Sequence, residues 1–287
     1  MTEHEINTLK ANGFSHGSVA LVNGGAEGIG LASACQFASL GMTVCLLDVA
    51  ADKLGEAAAQ VKAAGATEVA TYIADVSDVS ALQQIELEIA DRFGGVDILM
   101  NNAGIQPGST MFGPHERWQK IIGVNLWGVI NGTHIFAPRM IERGRPGAII
   151  NTGSKQGITT PPGDPAYNVT KAGVKAFTEA LAYELRNTTG AQLSAHLLIP
   201  GFVYTGLTKR DRTEKPAGAW TPEQTAEFLM QSLAKGDFYI LCPDNDVDRA
   251  TDEKRMAWAM GDIIENRPPL SRWHPDYADA FTASLKT

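Results

Sequence analysis

The stretch VNGGAEGIG, residues 22–30, joins an apolar run, SVALV at 18–22, to a segment with helical spacing near 28–40. A turn this poor in side chains brings backbone N–H groups to the N-terminus of a helix, where they and the helix dipole can hold a pyrophosphate. A tight turn without a ligand is the alternative for this stretch alone. Its place after the first strand favours a dinucleotide site formed by Gly24, Gly28, Ile29 and Gly30.

A carboxylate ends the second apolar run, TVCLLD at 43–48, and this Asp48 lies 18 residues beyond Gly30. At this place in a dinucleotide-binding fold, a carboxylate accepts hydrogen bonds from the ribose hydroxyls of the adenosine half and repels a 2′-phosphate. The stretch LLDVAADK contains no basic residue before Lys53, and Glu27 rather than a base stands in the glycine turn. The sequence therefore favours NAD over NADP. A role for Asp48 as the cap of the next helix is the alternative.

Short runs rich in Val, Ile and Leu alternate with longer helical stretches along the chain. Such alternation is typical of parallel strands joined by crossover helices, and runs buried on both faces favour a doubly wound sheet. The predicted strands are 18–22, 43–48, 69–73, 96–101, 147–151, 193–199 and 237–242. The predicted helices are 28–40, 51–64, 78–93, 115–142 with a break near Gly123, 166–186 and 222–234. We predict an α/β Rossmann-type fold, a seven-stranded and mainly parallel sheet with helices on both faces, as a single domain over residues 1–287 with its core at about 17–242.

Two segments depart from this alternation. The stretch FVYTGLTKRDRTEKPAGAW, residues 202–220, is charged in the middle and aromatic at its ends, and it predicts a movable lid at about 202–235. The C-terminal extension, 243–287, carries several aromatic residues, namely Trp258, Trp273, Tyr277 and Phe281. Because a monomer seldom leaves so many aromatic side chains exposed, we predict a helical tail that packs on the body of the protein or on a partner subunit.

Composition excludes several classes of function. A formal net charge of −8 and a pI near 5.3, without a basic run, argue against nucleic acid binding. Cys35, Cys45 and Cys242 are odd in number and scattered, which predicts free thiols rather than disulfides. His134 and His196 have no second ligand at a suitable spacing, so we predict no metal site. The acidic start MTEHEINTLK and the lack of an apolar run of about 20 residues predict no membrane span, and with the free thiols they indicate a cytoplasmic protein.

The stretch PAYNVTKAG, residues 165–173, places Tyr167 and Lys171 four residues apart at the start of a predicted helix. That interval puts both side chains on one face with Cβ atoms about 5–6 Å apart, so the ammonium can favour the phenolate. On this pair alone, a surface helix with an amphipathic tyrosine and a solvated lysine is the alternative.

The glycine turn, NNAG at 101–104, NTGS at 151–154 and the pair Tyr167 and Lys171 together resemble the short-chain dehydrogenase/reductase family over about residues 17–205. The resemblance implies an NAD(P)-dependent oxidoreductase that interconverts an alcohol and a ketone. It implies four catalytic residues, which are Asn125, Ser154, Tyr167 and Lys171. Beyond the glycine turn and Asp48, the cofactor site that it implies consists of Asp75 and Val76 at the adenine, Asn102, Ala103 and Gly104 after the fourth strand, Tyr167 and Lys171, and Pro200, Gly201, Val203 and Thr205 near the nicotinamide.

The resemblance also implies a role for each catalytic residue. Tyr167 would act as general acid/base, while Lys171 would lower its pKa and bind the nicotinamide ribose. Ser154 would donate a hydrogen bond to the substrate oxygen, and Asn125 would position a water that relays protons. Two features depart from the family pattern. Asn23 stands where Thr is usual, as a hydrogen-bonding group between strand ends, and the tail lacks the common glycine-rich ending, so tetramer contacts are not carried over.

The substrate site is the least defined by the sequence. Lys155, Gln156 and residues 158–164 lie between Ser154 and Tyr167, and they predict either a pocket wall or a solvated loop. The stretch NNAGIQPGSTMFG and the aromatic residues of the lid suggest a bulky, partly apolar alcohol or ketone; those aromatic residues are Phe202, Tyr204 and Trp220. An NADP-dependent carbonyl reductase and a catalytically silent dinucleotide-sensing protein are the alternatives. A homodimer or homotetramer is expected, because helices equivalent to 115–142 and 166–186 pair between subunits in the family.

Overall fold

A computed structural model describes residues 2–209 and 211–286. Residues 1 and 287, and Arg210 within the predicted lid, lie outside the described part. The strands are β1 (Val19–Asn23), β2 (Thr43–Asp48), β3 (Val69–Ile73), β4 (Ile98–Asn101), β5 (Gly147–Thr152), β6 (Leu193–Ile199) and β7 (Tyr239–Leu241). They form one sheet in the order β3-β2-β1-β4-β5-β6-β7, and every neighbouring pair is parallel. The predicted Rossmann-type sheet is confirmed, with no antiparallel pair among these strands.

Helices follow most strands, as the alternating pattern predicts. The helices are α1 (Glu3–Ala11), α2 (Gly28–Ser39), α3 (Ala51–Ala63), α4 (Val79–Phe93), α5 (His115–Ile122), α6 (Gly128–Glu142), α7 (Gln156–Thr159), α8 (Pro165–Asn187), α9 (Gly206–Lys209), α10 (Pro222–Lys235), α11 (Arg249–Ile264) and α12 (Ala278–Ser284). The six predicted helical stretches between the strands are present, with ends that differ from the prediction by one residue.

The sheet is buried on both faces because its strands are continuous apolar runs. All five residues of β1 and all six of β5 are buried. Alternate residues of one strand enter opposite cores, since successive side chains of a strand point to opposite faces. Val22 packs in a core with Phe37 of α2, whereas Leu21 packs in a core with Leu82 of α4. The two cores fix a three-layer arrangement of helix, sheet and helix.

The strand order reverses direction between β1 and β4. The chain first runs outward from β1 through β2 to β3, then returns to β4 on the other side of β1. In doubly wound sheets, ligands bind outside the carboxyl ends of the strands at such a reversal. Asn23, Asn101 and Asn151 pair in register at the carboxyl ends of β1, β4 and β5, so the motifs that follow these residues meet at one edge.

The predicted break near Gly123 is a short π-helical segment. This segment, Gly123–Trp127, joins α5 to α6 and contains the buried Asn125. A π segment inside a helix frequently marks a functional position, because the widened turn changes the direction of its side chains and frees a backbone group. The sequence places the break correctly, but its π geometry is a finding of the structure.

The N-terminal helix α1 was not predicted from the sequence. The hydroxyl of Thr2 accepts a hydrogen bond from Glu5 N at 3.3 Å, while Thr2 N donates to the Glu5 carboxylate at 2.7 Å. This reciprocal capping box starts the helix, and the buried Leu9 anchors it beside α10. The signal was present as a threonine followed three residues later by a glutamate.

The predicted lid and the C-terminal extension are the two segments that depart from the alternation of strands and helices. Helix α10 lies in the second half of the predicted lid, 202–235, and its Leu229 and Met230 belong to the core beside α2. The part that could move is therefore limited to about 202–221, so the predicted lid is too long at its C-terminal end. The C-terminal extension is helical, as predicted. Within the described residues, no helix is long and apolar enough to cross a membrane.

Candidate active site

A row of buried amide side chains crosses the carboxyl edge of the sheet. Asn23 Nδ2 donates to Asn101 Oδ1 at 2.9 Å, and Asn101 Nδ2 donates to Asn151 Oδ1 at 2.9 Å. The row continues into the helices, because Asn101 Nδ2 also lies 3.2 Å from the Thr133 hydroxyl and Asn151 Nδ2 lies 3.1 Å from the Thr178 hydroxyl. Buried polar groups cost stability unless they are paired, and here each amide pairs with the next. The edge that carries the motifs is therefore a connected, rigid network.

Asn23 also positions the loop that follows β4. Its Oδ1 accepts hydrogen bonds from Asn102 N at 2.7 Å and Ala103 N at 3.0 Å, and Asn102 Nδ2 donates to Gly24 O at 3.0 Å. Asn102, Ala103 and Gly104 are all partly buried beside the glycine turn. The asparagine thus bridges the strand ends where the family usually has threonine, and the two glycine-containing motifs are held against each other.

The glycine turn cannot carry a side chain at Gly30. A Cβ there would collide with Gly24 O and lie 2.6 Å from Asn102 Nδ2. Ile29 is partly buried against the core, and Gly28 faces Thr205, whose Cγ2 would lie 3.2 Å from a Cβ at Gly28. A side-chain-free turn at the N-terminus of α2 fits a pyrophosphate, since such a site needs close approach of backbone N–H groups.

Asp48 holds the two loops that flank the predicted ribose position. Its carboxylate accepts hydrogen bonds from Ala26 N at 3.1 Å and Ala50 N at 3.0 Å. The alternative role of Asp48 as the cap of the next helix is wrong, because Ala50 is the N-cap of α3 and no side chain caps that helix; the bond to Ala50 N closes a local turn instead. Each carboxylate oxygen can accept a further hydrogen bond, and the side chain is partly exposed, so the same group fits a ribose as well.

The nearest base to this position is already paired. Lys53 Nζ lies 2.7 Å from Glu27 Oε2, and both side chains are about half exposed. The neighbouring Glu27 carboxylate raises the pKa of Lys53 through a hydrogen bond. The ammonium is therefore compensated by a carboxylate of the glycine turn, which leaves no free cation there to attract a 2′-phosphate among the residues described.

Asp75 and Val76 lie after β3 with different surroundings. Asp75 is exposed, and its Oδ1 accepts hydrogen bonds from Ser77 N at 2.8 Å and the Ser77 hydroxyl at 2.7 Å. Val76 is buried against Gly128 of α6, and its carbonyl accepts a hydrogen bond from Asn131 Nδ2 at 3.1 Å. The two residues thus form a fixed turn at the outer part of the carboxyl edge, on the side of the adenine position that the resemblance implies.

Tyr167 and Lys171 lie on one face of α8 and are both buried. Lys171 Nζ is 5.7 Å from the centroid of the Tyr167 ring, and it donates a hydrogen bond to Thr152 O at 2.7 Å. Tyr167 is 6% exposed and Lys171 is 4% exposed, so neither is a solvated surface residue. The surface-helix alternative is therefore wrong, because the face that carries this pair is turned to the carboxyl edge of the sheet.

Burial shifts the pKa values of both groups toward their neutral forms. It raises the pKa of Tyr167 to about 12, against a smaller lowering by the Ser154 hydroxyl and a raising by the Asp164 carboxylate. It lowers the pKa of Lys171 to about 8. The sequence-based expectation that Lys171 lowers the pKa of Tyr167 is not met in this state, because desolvation outweighs a cation 5.7 Å from the ring centroid. At pH 7 the site holds a phenol and a largely protonated amine.

Asn125 pairs with the backbone of the loop after β4. Its Oδ1 accepts from Ile105 N at 2.8 Å, and its Nδ2 donates to Ile105 O at 2.8 Å. A Cβ placed at Gly104 would lie 3.6 Å from Asn125 Oδ1 and 3.9 Å from Lys171 Nζ, so both side chains border Gly104. The side chain anchors the NNAG loop, a role that the sequence alone did not indicate.

Ser154 and Lys155 lie two and three residues after β5 and differ in their partners. The Ser154 hydroxyl is partly exposed, accepts a hydrogen bond from Gln156 N at 3.1 Å and, against the larger effect of burial, lowers the pKa of Tyr167 through a hydrogen bond to the phenol, so it stands beside the group that would exchange a proton with the substrate. Lys155 Nζ lies 2.5 Å from Asp252 Oδ2 and 3.3 Å from Asp244 Oδ2, and its side chain is 17% exposed. Lys155 is therefore not part of a solvated loop. Its side chain attaches the C-terminal extension, through Asp244 and Asp252, to the chain just after Ser154.

The segment after β6 closes the site from the side of the lid. Pro200 O accepts a hydrogen bond from Lys155 N at 3.3 Å, and a Cβ at Gly201 would lie 2.5 Å from Asp244 Oδ2, so a side chain there would displace the Asp244 carboxylate from Lys155. Val203 is buried and forms an isolated bridge to Trp220, while Thr205 lies beside the glycine turn. The base of the lid is thus fixed by backbone pairing.

Asp164 is a further buried group that sequence reasoning missed. It precedes Pro165 at the start of α8, and its Oδ1 accepts a hydrogen bond from Ser109 Oγ at 2.5 Å. Ser109 Oγ in turn accepts from Ala166 N at 2.9 Å. These bonds attach the loop after β4 to the start of the helix that carries Tyr167. An aspartate before a proline at a helix start was the available signal.

Other titratable groups do not gather into a metal centre. Among the residues described, no group of three or more His, Cys, Asp or Glu is placed to hold a metal ion. His196 is paired through both ring nitrogens, at 2.8 Å from Asp237 O and 2.8 Å from the Ser194 hydroxyl, and burial lowers its pKa. The three cysteines are free thiols, of which Cys45 and Cys242 are buried and Cys35 is partly exposed.

Comparison with known proteins identifies relatives of this chain. The family model described as short chain dehydrogenase matches residues 18–216. The 1-deoxy-11-beta-hydroxypentalenate dehydrogenase of Streptomyces exfoliatus is 30% identical over 269 residues, which cover 92% of this chain and 96% of the relative. The 3-oxoacyl-[acyl-carrier-protein] reductase of Thermotoga maritima is 31% identical over 223 residues, which cover 77% of this chain and 85% of that protein.

Solved structures are also similar to this chain over most of its length. The crystal structure of a short chain dehydrogenase/reductase from Burkholderia phymatum in complex with NAD superposes with a TM-score of 0.80 at 30% identity, covering 90% of this chain and 97% of that one. Levodione reductase superposes with a TM-score of 0.71 at 27% identity, covering 80% of this chain and 97% of that one.

Proposed function

The chain belongs to the short-chain dehydrogenase/reductase family, and from this premise we propose that it is an NAD-dependent oxidoreductase that interconverts a secondary alcohol and a ketone. The observation that carries the proposal is the buried pair of Tyr167 and Lys171, whose Nζ lies 5.7 Å from the phenol ring centroid. Burying an amine and a phenol side by side is costly, and a helix that only packs against a sheet has no need of either group.

The residues at the carboxyl edge fit a dinucleotide, as judged from this structure's own geometry. The glycine turn at α2 would hold the pyrophosphate, and Asp48 would accept the ribose hydroxyls of the adenosine half. The pair Asp75 and Val76 would border the adenine. The loop at 102–104 and the segment with Pro200, Gly201, Val203 and Thr205 would border the nicotinamide end, beside Tyr167 and Lys171.

NAD is the cofactor we propose, in preference to NADP. Asp48 would repel a 2′-phosphate, and Lys53 is already bound to Glu27. When bound, the nicotinamide supplies the hydride acceptor or donor. The Burkholderia phymatum structure was solved with NAD, which supports the same choice here.

Asp48→Ala should weaken NAD use and bring the kcat/KM values for NAD and NADP closer together. Unchanged kinetics with both cofactors would count against the role of Asp48, and Asp52→Ala, an exposed change in the first turn of α3, is the control.

The chain's own residues supply proton transfer and orientation. Tyr167 is a phenol at pH 7, so it stands ready to donate a proton to a carbonyl oxygen as reduction proceeds. In the reverse direction it must accept the hydroxyl proton, which requires its pKa to fall well below about 12. Lys171 would contribute part of that fall and bind the nicotinamide ribose, and Ser154 would donate a hydrogen bond to the substrate oxygen. Asn125 would position the proton-relaying water, while it anchors the loop at Ile105.

The substrate that we propose is a bulky, partly apolar alcohol or ketone. One relative is named for a hydroxypentalenate and another for a 3-oxoacyl group, so both names describe an oxygen function on a larger carbon skeleton. Two apolar side chains in the loop after β4, Met111 at 64% and Phe112 at 99%, are exposed, and they follow Ser109, which attaches this loop to the start of α8. These features support a substrate with hydrocarbon character without defining one molecule.

The decisive experiment is turnover. The purified protein, NAD and a panel of secondary alcohols are mixed, and NADH is followed by its absorbance, with the ketones and NADH tested in reverse. We expect reduction or oxidation with at least one pair, and faster reaction with NAD than with NADP. NADH binding without turnover of any pair would favour the second candidate, a catalytically silent dinucleotide-sensing protein. Preference for NADPH would favour a carbonyl reductase.

We also propose that the protein is a single domain in the cytoplasm, with a small-molecule substrate and without nucleic acid or membrane as partner. It should form a homodimer or homotetramer through α6 and α8, where Trp127 just before α6, Val169 and Tyr183 are 54%, 50% and 59% exposed. Light scattering of the full chain measures the number of subunits.

A further inference from the structure

A small cavity lies between the loop after Ser154 and the C-terminal extension. Its volume is about 50 Å³, whereas one water needs about 10–15 Å³, so it has room for the polar end of a molecule but not for a nucleotide. The cavity is lined by Lys155, Ile158, Thr159, Leu241, Asp252, Arg255, Met256 and Arg272. It lies next to the reacting residues in the chain, because Lys155 follows Ser154 directly.

The charges around this cavity are not balanced evenly. Asp252 and Asp244 both lie against Lys155, at 2.5 Å and 3.3 Å. Neither Arg255 nor Arg272 has a carboxylate within ion-pair distance among the described residues. Three cations thus meet two carboxylates, and both carboxylates are engaged by the lysine. Asp252 also interacts electrostatically with Arg255 and Arg272, so the cluster is left with one positive charge in excess, which a single bound carboxylate would neutralise.

One guanidinium donor at the cavity has no acceptor. Arg255 Nε is buried and has no hydrogen-bond partner in the part of the chain that the structure describes. Arg272 lies over two aromatic rings, 4.8 Å from the Trp273 centroid and 5.0 Å from the Phe281 centroid, which fix its position beside the cavity. Burial and the charge of Arg255 lower the pKa of Arg272, so the two cations lie close enough to repel each other.

Part of the cavity lining is apolar. Ile158 of α7, Leu241 of β7 and Met256 of α11 contribute hydrocarbon surface to the lining and belong to one apolar cluster. A lining that combines two guanidinium groups with an apolar cluster matches a carboxylate attached to an alkyl chain. A guanidinium recognises a carboxylate through two parallel hydrogen bonds, which makes arginine the usual partner of this group.

We propose that this cavity binds a carboxylate group between Arg255 and Arg272, with the attached carbon chain against Ile158 and Met256. The carboxylate comes either from the far end of the substrate or from a separate carboxylic acid that regulates the enzyme. The first source rests on the proposed function and makes the enzyme a dehydrogenase of hydroxy acids or oxo acids. The second source makes the C-terminal extension a regulatory element.

Binding is tested first without activity. Butyrate and its neutral analogue butyramide are titrated into the full-length protein at constant ionic strength, with isothermal calorimetry and the fluorescence of Trp258 and Trp273 as readouts. We expect saturable binding of butyrate, weaker binding of acetate because less of the apolar wall is used, and no binding of butyramide. Equal responses to butyrate and butyramide, or no saturable binding of either, overturn the proposal.

Variants locate the site. Arg255→Gln and Arg272→Gln should each weaken butyrate binding by at least 10-fold, whereas Arg249→Gln should not change it. Arg249 is the matched control because it lies on the same helix, is about 59% exposed and pairs with Glu253. Undiminished binding in both glutamine variants contradicts the assignment. If a glutamine variant does not fold, Arg255→Lys takes its place, since it keeps the charge but loses the paired donors of the guanidinium. The comparison of butyrate with butyramide in the wild type then still decides whether the cavity binds a carboxylate.

Kinetics distinguish the two sources. A secondary hydroxy acid is compared with its primary amide, using NAD. If the carboxylate belongs to the substrate, the acid has the higher kcat/KM, Arg255→Gln removes that preference, and butyrate raises the KM for the acid. If it belongs to a regulator, butyrate changes kcat for a neutral alcohol without competing with it. Butyrate binding in a protein that turns over no alcohol would refute the proposed function and leave this site standing.

Discussion

The two sides of the candidate site are held together in different ways. On the cofactor side, the carboxyl ends of β1, β4 and β5 are joined by neutral amides, Asn23 to Asn101 to Asn151, at 2.9 Å each. On the tail side, Lys155 is joined to Asp252 and Asp244 by charge. Neutral amides between adjacent strands form a rigid edge whose loss affects the whole sheet. Charge pairs between distant segments instead attach one element to another, so their loss should affect that element first.

The difference matters for what each side can do. A dinucleotide has a constant shape, which a rigid edge can match. Substrates vary, and the side that we propose for the substrate is formed by the lid base, α7 and the C-terminal extension. Because Asp244 also accepts a hydrogen bond from Phe202 N at 3.2 Å, the tail reaches the base of the lid as well as Lys155. Displacement of the tail would therefore alter the substrate side and leave the amide row unchanged.

The largest expected effect concerns the residue between these two sides. Tyr167→Phe should lower kcat about 10²–10⁴-fold, because it removes the general acid/base while the buried ring remains. NAD affinity, measured by quenching of protein fluorescence, should stay close to that of the wild type. Tyr239→Phe, which removes an exposed hydroxyl that donates to Glu179, is the control. Near-normal turnover of the Tyr167 variant would contradict the mechanism.

Much of the cofactor side was predictable because its signals are local. The glycine turn, the strand-ending Asp48 and the interval between Tyr167 and Lys171 lie within short windows, where spacing alone determines which groups share a face. The pKa of Tyr167 was not predictable from that interval. Lys171 lies close to the ring as the interval implies, but burial of the phenol raises its pKa to about 12. Desolvation depends on everything packed around the ring, which four residues of sequence do not describe.

The tail side was not predictable because its contacts are long-range. Lys155 and Asp244 are 89 residues apart in sequence, and no periodic pattern connects them. Read locally, Lys155 follows Ser154 in a polar loop, so a solvated position was as reasonable as a buried one. The aromatic residues of the extension predicted that it packs on something. Only the fold determines that α11 brings Asp252 to Lys155.

The second largest effect should come from breaking the amide row. Asn101→Ala leaves Asn23 Nδ2 and Asn151 Oδ1 buried without their partner, at about 1–3 kcal/mol for each unpaired group. We expect the free energy of unfolding to fall globally, as a lower midpoint in urea with an unchanged slope. The exposed Gln84→Ala on α4 is the control. If the midpoint in urea did not change and hydrogen exchange accelerated only near β4, the amide row would not hold the strand ends together.

A smaller and local effect should follow from breaking the charge pairs. Lys155→Met leaves two carboxylates near the cavity without their cation, at about 2–3 kcal/mol, somewhat below the 3–5 kcal/mol of fully enclosed pairs because the side chain is 17% exposed. Hydrogen exchange should accelerate in α11 and at Phe202, while β1 and β4 keep their protection. Uniform acceleration throughout the sheet would remove the distinction between the two sides.

The smallest effect is expected at the exposed ion pair of the cofactor side. Comparison with Lys155→Met shows whether the loss of stability there comes from the charges alone or from their burial. Lys53→Met breaks a bond of 2.7 Å to Glu27, as short as many buried pairs, but both side chains are about half exposed. Solvent already stabilises each charge there, so the change should cost at most about 1 kcal/mol. At about 1 M salt, where the Debye length is near 3 Å, this small loss should vanish, whereas the loss in Lys155→Met should persist because salt does not reach the buried carboxylates. Urea unfolding of both variants at low and high salt measures this. Equal salt sensitivity would mean that the pairs at Lys155 are exposed in solution, and that the tail is not held by buried charge.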